Sequence, residues 1–467
     1  MGSSSRWARR AIWLIAIAAV LRALVWVVVL PPWQGPDEGA HYSYVERIVV
    51  EHSIPPFARN QPDRFSDAIT ASTNTTGYAP MVTRQPLRPL RRGLDAFPPE
   101  PRNLSVTSSG SLLTGSYPPE YYLLGSVAYS LPGLHNATGR LYAIRVVSAL
   151  LGGLAAFLIF RFLLAAGVPE LLSLIGTAAF VQLPMFTQSS AIINPDILLS
   201  VTIVGLAAAL MRARADPTRR RLAFVLLWGV LTALAKPIGG PAALLMAIAV
   251  LGLQPYGSSW RRRAGVVAGI VAAFAFSYVA EAKVSSLQMT SAHGAVSTFR
   301  YSLSYLWQFY LPKIPGEIPG PYAVHHYLPS WWVWIETGIG RFGWLTTPMP
   351  QWAYRLGFWT LVAATLVAAY GFLRRRRDEF PVAGALLVAA IAYVLLLHIS
   401  EVLLLINNGG LLLQGRYLLP IVPLVEAVLL LGLARLGRVG LATAGLLFAV
   451  TFVLSVQGLQ DTMVFFA

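Results

Sequence analysis

The chain is divided into apolar segments that are each close to the length needed to cross a lipid bilayer. Its apolar residues fall in blocks instead of recurring at helical or strand intervals, which is typical of membrane spans. Of the 467 residues, 56% are hydrophobic and 12% are charged, about half the charged share of a soluble domain. The sequence therefore predicts an all-α, polytopic membrane protein. We expect about eleven transmembrane helices, near residues 11–30, 142–161, 171–189, 197–211, 222–236, 238–253, 264–281, 354–373, 381–399, 417–434 and 439–456.

The arginine clusters between these segments predict the orientation of the chain. The clusters at 212–221, 260–263, 374–379 and 434–438 are short, and short basic loops stay in the cytoplasm. The first apolar segment follows a basic stretch and lacks a small-residue cleavage site, which favours a retained span over a signal peptide. We therefore expect a multi-pass protein of the cytoplasmic (inner) membrane with a cytoplasmic amino terminus. The net charge of +16 follows from this topology, and without a basic stripe on a soluble face it does not indicate nucleic acid.

This topology leaves two long loops, residues 31–141 and 282–353, on the outer side. The apolar stretch 117–131 is short and rich in tyrosine and proline, so we expect it to lie in the membrane interface instead of crossing it. Trp331, Trp332 and Trp334 occur in the second loop. Because aromatic residues concentrate at membrane interfaces, we expect these tryptophans to anchor the loop, with sugar or lipid stacking as the alternative.

Polar residues far apart in the sequence are all expected at the outer membrane face. The first group belongs to PPWQGPDEGAH, residues 31–41, where a carboxylate pair and a histidine directly follow the first span. Solvated helix caps would also place polar residues there. This set, however, combines carboxylates with isolated cations, as transfer from a phosphate-linked donor requires: a base for the acceptor hydroxyl and positive charge for the leaving phosphate. The set comprises Asp37, Glu38, His41, Arg145, Asp196, Lys236, Arg416 and Tyr417.

The order of these motifs resembles the GT-C superfamily of membrane glycosyltransferases, which includes the protein O-mannosyltransferases and the aminoarabinose transferases of lipid A. The closest similarity is to a bacterial branch with PDE-x-x-H after the first span, here residues 36–41. YPPEYY (117–122) occupies the place of the superfamily's Pro-Pro helix, Asp196 that of a later acidic residue, and QGRY (414–417) that of a late basic-aromatic pair. Tyr117 stands where the superfamily usually has a basic residue.

The resemblance implies an inverting transfer of a monosaccharide from a polyprenyl-phosphate donor to a cell-envelope glycan, lipid or protein on the outer side of the membrane. Asp37 would be the catalytic base, and Glu38 would position the acceptor, hold Asp37 or bind a metal. The other implied site residues are Lys236, Arg416, Tyr417 and His41 for the donor phosphate, and Asp196, Tyr117 and Arg145 for the substrate. Residues 1–281 would form a GT-C-like catalytic membrane module including loop 31–141, followed by the second outer loop, 282–353, and the carboxyl-terminal helices, 354–467.

Two other functions and a metal requirement stay open at this point. A transporter or flippase of a lipid-linked sugar would also have many spans, and a polymerase or ligase that uses lipid-diphosphate donors would rely on a late outer loop such as the one with His325 and His326. Asp37, Glu38, His41 and Asp196 could supply ligands to a divalent metal. The chain has no cysteine, which excludes thiolate ligands.

Overall fold

The computed structural model describes residues 5–56, 65–76, 112–252, 263–272, 275, 295–312, 330–374, 380–408 and 414–466. The described residues are almost entirely helical, as the sequence predicts. The helices are α1 Arg6–Val29, α2 Glu38–Val50, α3 Asp67–Thr76, α4 Glu120–Tyr129, α5 Ala137–Ala165, α6 Glu170–Val181, α7 Pro184–Ser189, α8 Asp196–Ala215, α9 Arg219–Ala235, α10 Gly239–Ala247, α11 Arg263–Ala272, α12 Ala295–Tyr310, α13 Trp331–Ile339, α14 Gln351–Arg374, α15 Phe380–Asn408, α16 Val422–Ala434 and α17 Arg438–Phe466.

Seven of the helical segments described here are long and apolar enough to cross a membrane. They are Arg6–Val29, Ala137–Ala165, Asp196–Ala215, Gln351–Arg374, Pro381–Leu403, Gly415–Ala434 and Arg438–Phe466. The other predicted spans coincide with the shorter helices α6, α9, α10 and α11. The expected multi-pass, all-α membrane architecture is thus confirmed.

One predicted span, 171–189, is interrupted. It consists of α6 and α7, and Pro184 is in the first turn of α7. Because proline has no backbone N–H and clashes with the preceding turn, α6 ends three residues before it, at Val181. The predicted break after α9 is present as well: Lys236 is extended, with φ −165° and ψ 154°, because Pro237 disfavours a helical conformation in the residue before it.

Helix α8 is the centre of the bundle. In the most apolar 18-residue stretch of α8, 94% of the residues are buried, whereas the corresponding share in α14 is 17%. Helix α1 packs on α5, α5 on α8, and α8 on α9. Since α8 begins at Asp196, the first residue of the most enclosed helix is one of the predicted site residues.

Helix α4 has the features of an interface helix. Its ten residues span about 15 Å, half the thickness of a bilayer core. The large apolar side chains of this region that remain exposed are Leu123, Leu124, Val127 and Leu131. An apolar exposed side on a helix too short to cross is consistent with the predicted position in the interface.

A two-stranded hairpin connects the late part of the chain to the end of the first span. Strand β1, Arg341–Phe342, pairs antiparallel with β2, Thr347–Pro348. The ring of Phe342 lies 4.8 Å from that of Trp26, and Trp344 Nε1 donates to the carbonyl oxygen of Trp33 at 3.1 Å. Of the tryptophans expected to anchor the second loop, Trp334 is buried and stacks on His398 at 5.1 Å.

Candidate active site

Asp37 occupies a strained backbone position directly before α2. Its φ of 57° and ψ of 16° place it in the left-handed helical region, which aspartate tolerates better than most residues. Its carbonyl oxygen accepts the N–H of His41 at 3.0 Å, so the helix starts from it. The Asp37 side chain makes no hydrogen bond or ion pair with any described residue. The turn therefore presents a half-buried carboxylate that is not bound to its neighbours.

Glu38, the next residue, is bound on all sides. Its carboxylate forms a two-point ion pair with Arg145 of α5, with Nε–Oε1 at 2.8 Å and Nη2–Oε2 at 2.6 Å. It also accepts the backbone N–H groups of Gly35 at 3.2 Å and Ile193 at 3.1 Å. Both charged side chains are fully buried.

Arg145 also binds the carboxyl-terminal end of α1. Its guanidinium donates to the carbonyl oxygens of Val27 at 3.1 Å, Leu30 at 2.6 Å and Pro31 at 2.9 Å. The last carbonyls of a helix have no partner within the helix, and Val27 lacks one because Pro31, four residues on, has no N–H. Glu38 and Arg145 therefore fix the loop around Asp37. The polar atoms of both side chains are thus bound within the protein, as expected if Glu38 holds Asp37 in place, and the catalytic role of Glu38 and the substrate-binding role of Arg145 stay predictions.

Asp196, Lys236 and Arg416 form the second half of the site. The ammonium group of Lys236 is hydrogen-bonded to Asp196 Oδ1, and Arg416 Nε lies 3.8 Å from Asp196 Oδ2. Asp196 and Arg416 are buried, and the Lys236 side chain is 13% exposed. One carboxylate thus holds two cations side by side, which leaves a net positive charge.

Two tyrosines enclose these cations. Lys236 Nζ lies 4.8 Å from the ring centre of Tyr417 and 5.5 Å from that of Tyr117. Arg416 lies over the Tyr417 ring at 5.1 Å and donates to its hydroxyl at 3.3 Å. Burial raises the pKa of Tyr117 to about 12, although Lys236 opposes the shift. The hydroxyl of Tyr117 therefore stays protonated near neutral pH and can donate a hydrogen bond.

The backbone around Arg416 is held by a close helix contact. Residues Gly415–Ile421 form a 3₁₀ turn ahead of α16, and the Gly415 N–H donates to Thr337 Oγ1 at 2.6 Å. A Cβ on Gly415 would lie 1.9 Å from the carbonyl oxygen of Trp334. Only glycine permits this approach, which sets Arg416 and Tyr417 against α13.

His41 is buried beside the cations as a neutral ring. Burial lowers its pKa to about 3, and Lys236 lowers it further. Its Nδ1 is 2.9 Å from the hydroxyl of Tyr122, and it packs against Tyr122 and Tyr117. His41 is therefore a neutral hydrogen-bonding group and adds no positive charge for a phosphate.

Electrostatics connects Asp37 to the cation pair. Burial raises the pKa of Asp37 above its usual range, and Arg416 and Lys236 oppose this shift. A carboxylate with a raised pKa and no bound partner among the described residues is suited to accept a proton. The site thus combines a carboxylate that can accept a proton with two cations.

The described residues do not form a metal site. They contain no group of three or more His, Asp or Glu side chains that could hold a metal ion. Of the four side chains considered as metal ligands, two are engaged in ion pairs: Glu38 with Arg145, and Asp196 with Lys236. His325 and His326 of the late loop lie outside the described residues.

The sequence did not reveal the tyrosines behind the site. Tyr121 accepts the N–H of Asn194 at 3.0 Å, and its hydroxyl is 2.7 Å from that of Ser148. Tyr393 of α15 donates to the carbonyl oxygen of Tyr417 at 3.1 Å. The tyrosine-rich motif at 117–122 was the available signal for Tyr121 and Tyr122, whereas Tyr393 lies in an apolar segment with no motif.

The chain belongs to the family described as "Predicted membrane protein (DUF2142)", whose model matches residues 20–425. No curated protein matches it in sequence.

Several solved structures have a similar fold. The oligosaccharyltransferase of Archaeoglobus fulgidus in the apo form has a TM-score of 0.49 and 14% identity, covering 97% of this chain and 56% of that one. Archaeal AglB from the same organism, in complex with an inhibitory peptide and a dolichol-phosphate, has a TM-score of 0.48 and 15% identity, covering 98% and 56%. ArnT from Cupriavidus metallidurans in the apo state has a TM-score of 0.44 and 13% identity, covering 92% and 61%. The chain thus spans little more than half the length of these proteins.

Proposed function

We propose that this protein is a membrane glycosyltransferase that moves a monosaccharide from a polyprenyl-phosphate donor to a hydroxyl of a cell-envelope glycan, lipid or protein. The reaction takes place on the outer face of the cytoplasmic membrane. The observation that carries the proposal is the convergence of an unpaired Asp37 carboxylate with Lys236 and Arg416, three residues from distant parts of the chain.

The two halves of the site supply the two requirements of sugar transfer. Asp37 accepts the proton of the acceptor hydroxyl while the acceptor oxygen forms a bond to the anomeric carbon. The bond from this carbon to the phosphate oxygen breaks, and the phosphate leaves with the electron pair. Lys236 and Arg416 stabilise the charge of the phosphate, and an arginine can bind two of its oxygens. A single displacement of this kind inverts the anomeric centre.

The surrounding residues support these roles without taking part in bond making. Asp196 keeps Lys236 and Arg416 adjacent, and Tyr117 and Tyr417 form the aromatic walls beside them. The Glu38–Arg145 pair fixes the turn that carries Asp37.

An apolar cavity whose lining includes Leu418, two residues after Arg416, supports a lipid-linked donor. Its volume is about 300 Å³. Its walls also include Phe180, Val394 and Val425, and all of the lining residues except Glu426 and Thr451 are apolar. A phosphate bound at Arg416 would thus have its hydrocarbon chain next to an apolar space in the membrane-spanning part of the protein.

The test is transfer from a radiolabelled polyprenyl-phosphate monosaccharide to envelope acceptors by purified protein in lipid nanodiscs. Asp37→Asn keeps the shape and the left-handed backbone but removes the base, and turnover should fall by roughly 10²–10⁴-fold. The matched control is Asp67→Asn at the exposed start of α3, which should leave turnover unchanged. Normal turnover by Asp37→Asn, with correct folding, would exclude Asp37 as the base.

The same preparation separates the two alternative functions. A flippase would move the labelled donor across vesicle membranes without forming product, and a polymerase or ligase would require a lipid-diphosphate donor. Transfer from the monophosphate donor is the outcome expected from a site with two cations around one phosphate position.

A further inference from the structure

A second cationic cavity lies at the other end of the bundle, between α5, α8 and α9. Its volume is about 440 Å³, and its walls contain Arg161, Arg212 and Arg221. Arg212 follows Asp196 by sixteen residues on α8, which is about 24 Å along the helix axis. The cavity is therefore separate from the Asp37 site and lies at the end predicted to face the cytoplasm.

Two of the three arginines have no counter-charge in the described part of the chain. Arg221 pairs with Asp216 at 2.9 Å, whereas the guanidinium groups of Arg161 and Arg212 form no hydrogen bond or ion pair with the described residues. Arg212 lies within electrostatic range of both other guanidinium groups. Clustered like charges repel, so an anion bound between them would stabilise this arrangement.

The rest of the cavity wall is apolar and aromatic. Phe157, Leu158, Phe224 and Trp228 line it. The indole of Trp228 lies directly on Gly205, where an added Cβ would be 2.3 Å from the ring. A cavity with guanidinium groups beside an aromatic wall matches an amphiphile with an anionic head and a hydrocarbon chain.

We propose that this cavity binds the phosphate group of an anionic amphiphile, with Arg161 and Arg212 as its ligands. Basic pockets between transmembrane helices at the cytoplasmic surface suit the head groups of anionic lipids, and guanidinium groups bind phosphate oxygens in pairs. The phosphate could belong to a membrane lipid or to a soluble compound, and these sources are distinguishable by experiment. The proposal does not depend on the transfer reaction.

The experiment compares the full-length protein in nanodiscs of phosphatidylcholine alone with protein in phosphatidylcholine containing phosphatidylglycerol. Native mass spectrometry measures the phosphatidylglycerol that stays bound. The double variant Arg161→Gln/Arg212→Gln should bind it about thirtyfold more weakly, because each cation near the membrane surface strengthens binding about fivefold. A parallel titration with inorganic phosphate in phosphatidylcholine nanodiscs tests a soluble source.

The matched control is Arg219→Gln/Arg220→Gln, which removes the same charge from exposed residues at the same end of the bundle. Selective loss in the cavity variant supports the site, whereas equal loss in both variants, or loss in neither, overturns it. Arg161-dependent binding of inorganic phosphate without any preference for phosphatidylglycerol would support the phosphate site and assign it to a soluble ligand. If the double glutamine variant does not fold, Arg161→Lys/Arg212→Lys keeps the charge but loses the two-point geometry, and unchanged lipid binding by it would overturn the proposal.

Discussion

The ion pair between Glu38 and Arg145 provides a test that distinguishes a structural role of these residues from a direct role in the reaction. Glu38→Gln keeps the size of the side chain but removes its charge. Arg145 would then be a buried cation without a counter-ion, since both side chains are fully buried. We expect Glu38→Gln to destabilise the protein and to lower transfer activity through the misplaced loop around Asp37.

The size of the effect follows from the contacts of the pair. Removal of one partner from a buried ion pair costs about 3–5 kcal/mol. The three carbonyl oxygens at and just after the end of α1 that accept from Arg145 still solvate its charge in part, so we expect a loss of about 3 kcal/mol, the lower end of that range.

A double variant tests whether the pair has a further role. Removing both charges often restores the stability of a simple buried ion pair. Here Glu38→Leu/Arg145→Met would also leave two carbonyl groups, of Val27 and Leu30, and two N–H groups without partners, since the Pro31 carbonyl keeps the N–H of Gln34. At about 1 kcal/mol or more for each group, the double variant should lose about 4 kcal/mol and should not be rescued.

The assay is thermal unfolding in detergent, read by size-exclusion chromatography, together with transfer activity in nanodiscs. Parent-like stability of the double variant would refute the idea that the pair holds the backbone of the loop. A Glu38→Gln protein that is as stable as the parent but inactive would instead make Glu38 a direct participant in the reaction.

Three further predictions concern the site itself. Asp196→Asn should weaken donor binding by disordering the cation pair, seen as a raised KM with folding retained, and an unchanged KM would remove its positioning role. Gly239→Ala places a Cβ 1.9 Å from the Thr232 carbonyl oxygen and should destabilise the turn after α9 by at least about 1–3 kcal/mol, measured by thermal unfolding. Because only deprotonated Asp37 can act as base and burial raises its pKa, turnover should fall as the pH drops through a value above the usual aspartate range. His41, with a pKa of about 3, stays neutral there, so His41→Gln should leave the position of this limb unchanged, and a shift would assign the limb to His41.

The sequence predicts the general location of the site well because membrane topology restricts it. Asp37, Asp196, Lys236 and Arg416 each follow or begin a predicted span at the outer face, and polar residues at the same depth of one bundle can meet. The turn at Lys236 was also predictable, since the Pro and Gly residues after it exclude a continuous helix.

The roles of neighbouring residues could not be predicted in this way. Asp37 and Glu38 are adjacent carboxylates. Because of the left-handed turn at Asp37, Glu38 is buried against Arg145, whereas Asp37 has no bound partner among the described residues. Arg145 lies 107 residues from its partner, and no local pattern distinguishes a cation bound inside the protein from one that faces a substrate. The break before Pro184 was missed because the apolar composition continues through it.

The backbone conformation of Asp37 restricts what mutation can place there. Apart from glycine, only asparagine and aspartate adopt a left-handed conformation readily, and other residues incur a cost of about 1–2 kcal/mol. A library of all residues at this position, sorted for folded protein alone, should therefore be enriched in Asp, Asn and Gly. Sorting the same library for activity should retain only Asp. The difference between the two selections measures how far the fold, independently of the chemistry, narrows the choice of residue at the proposed base.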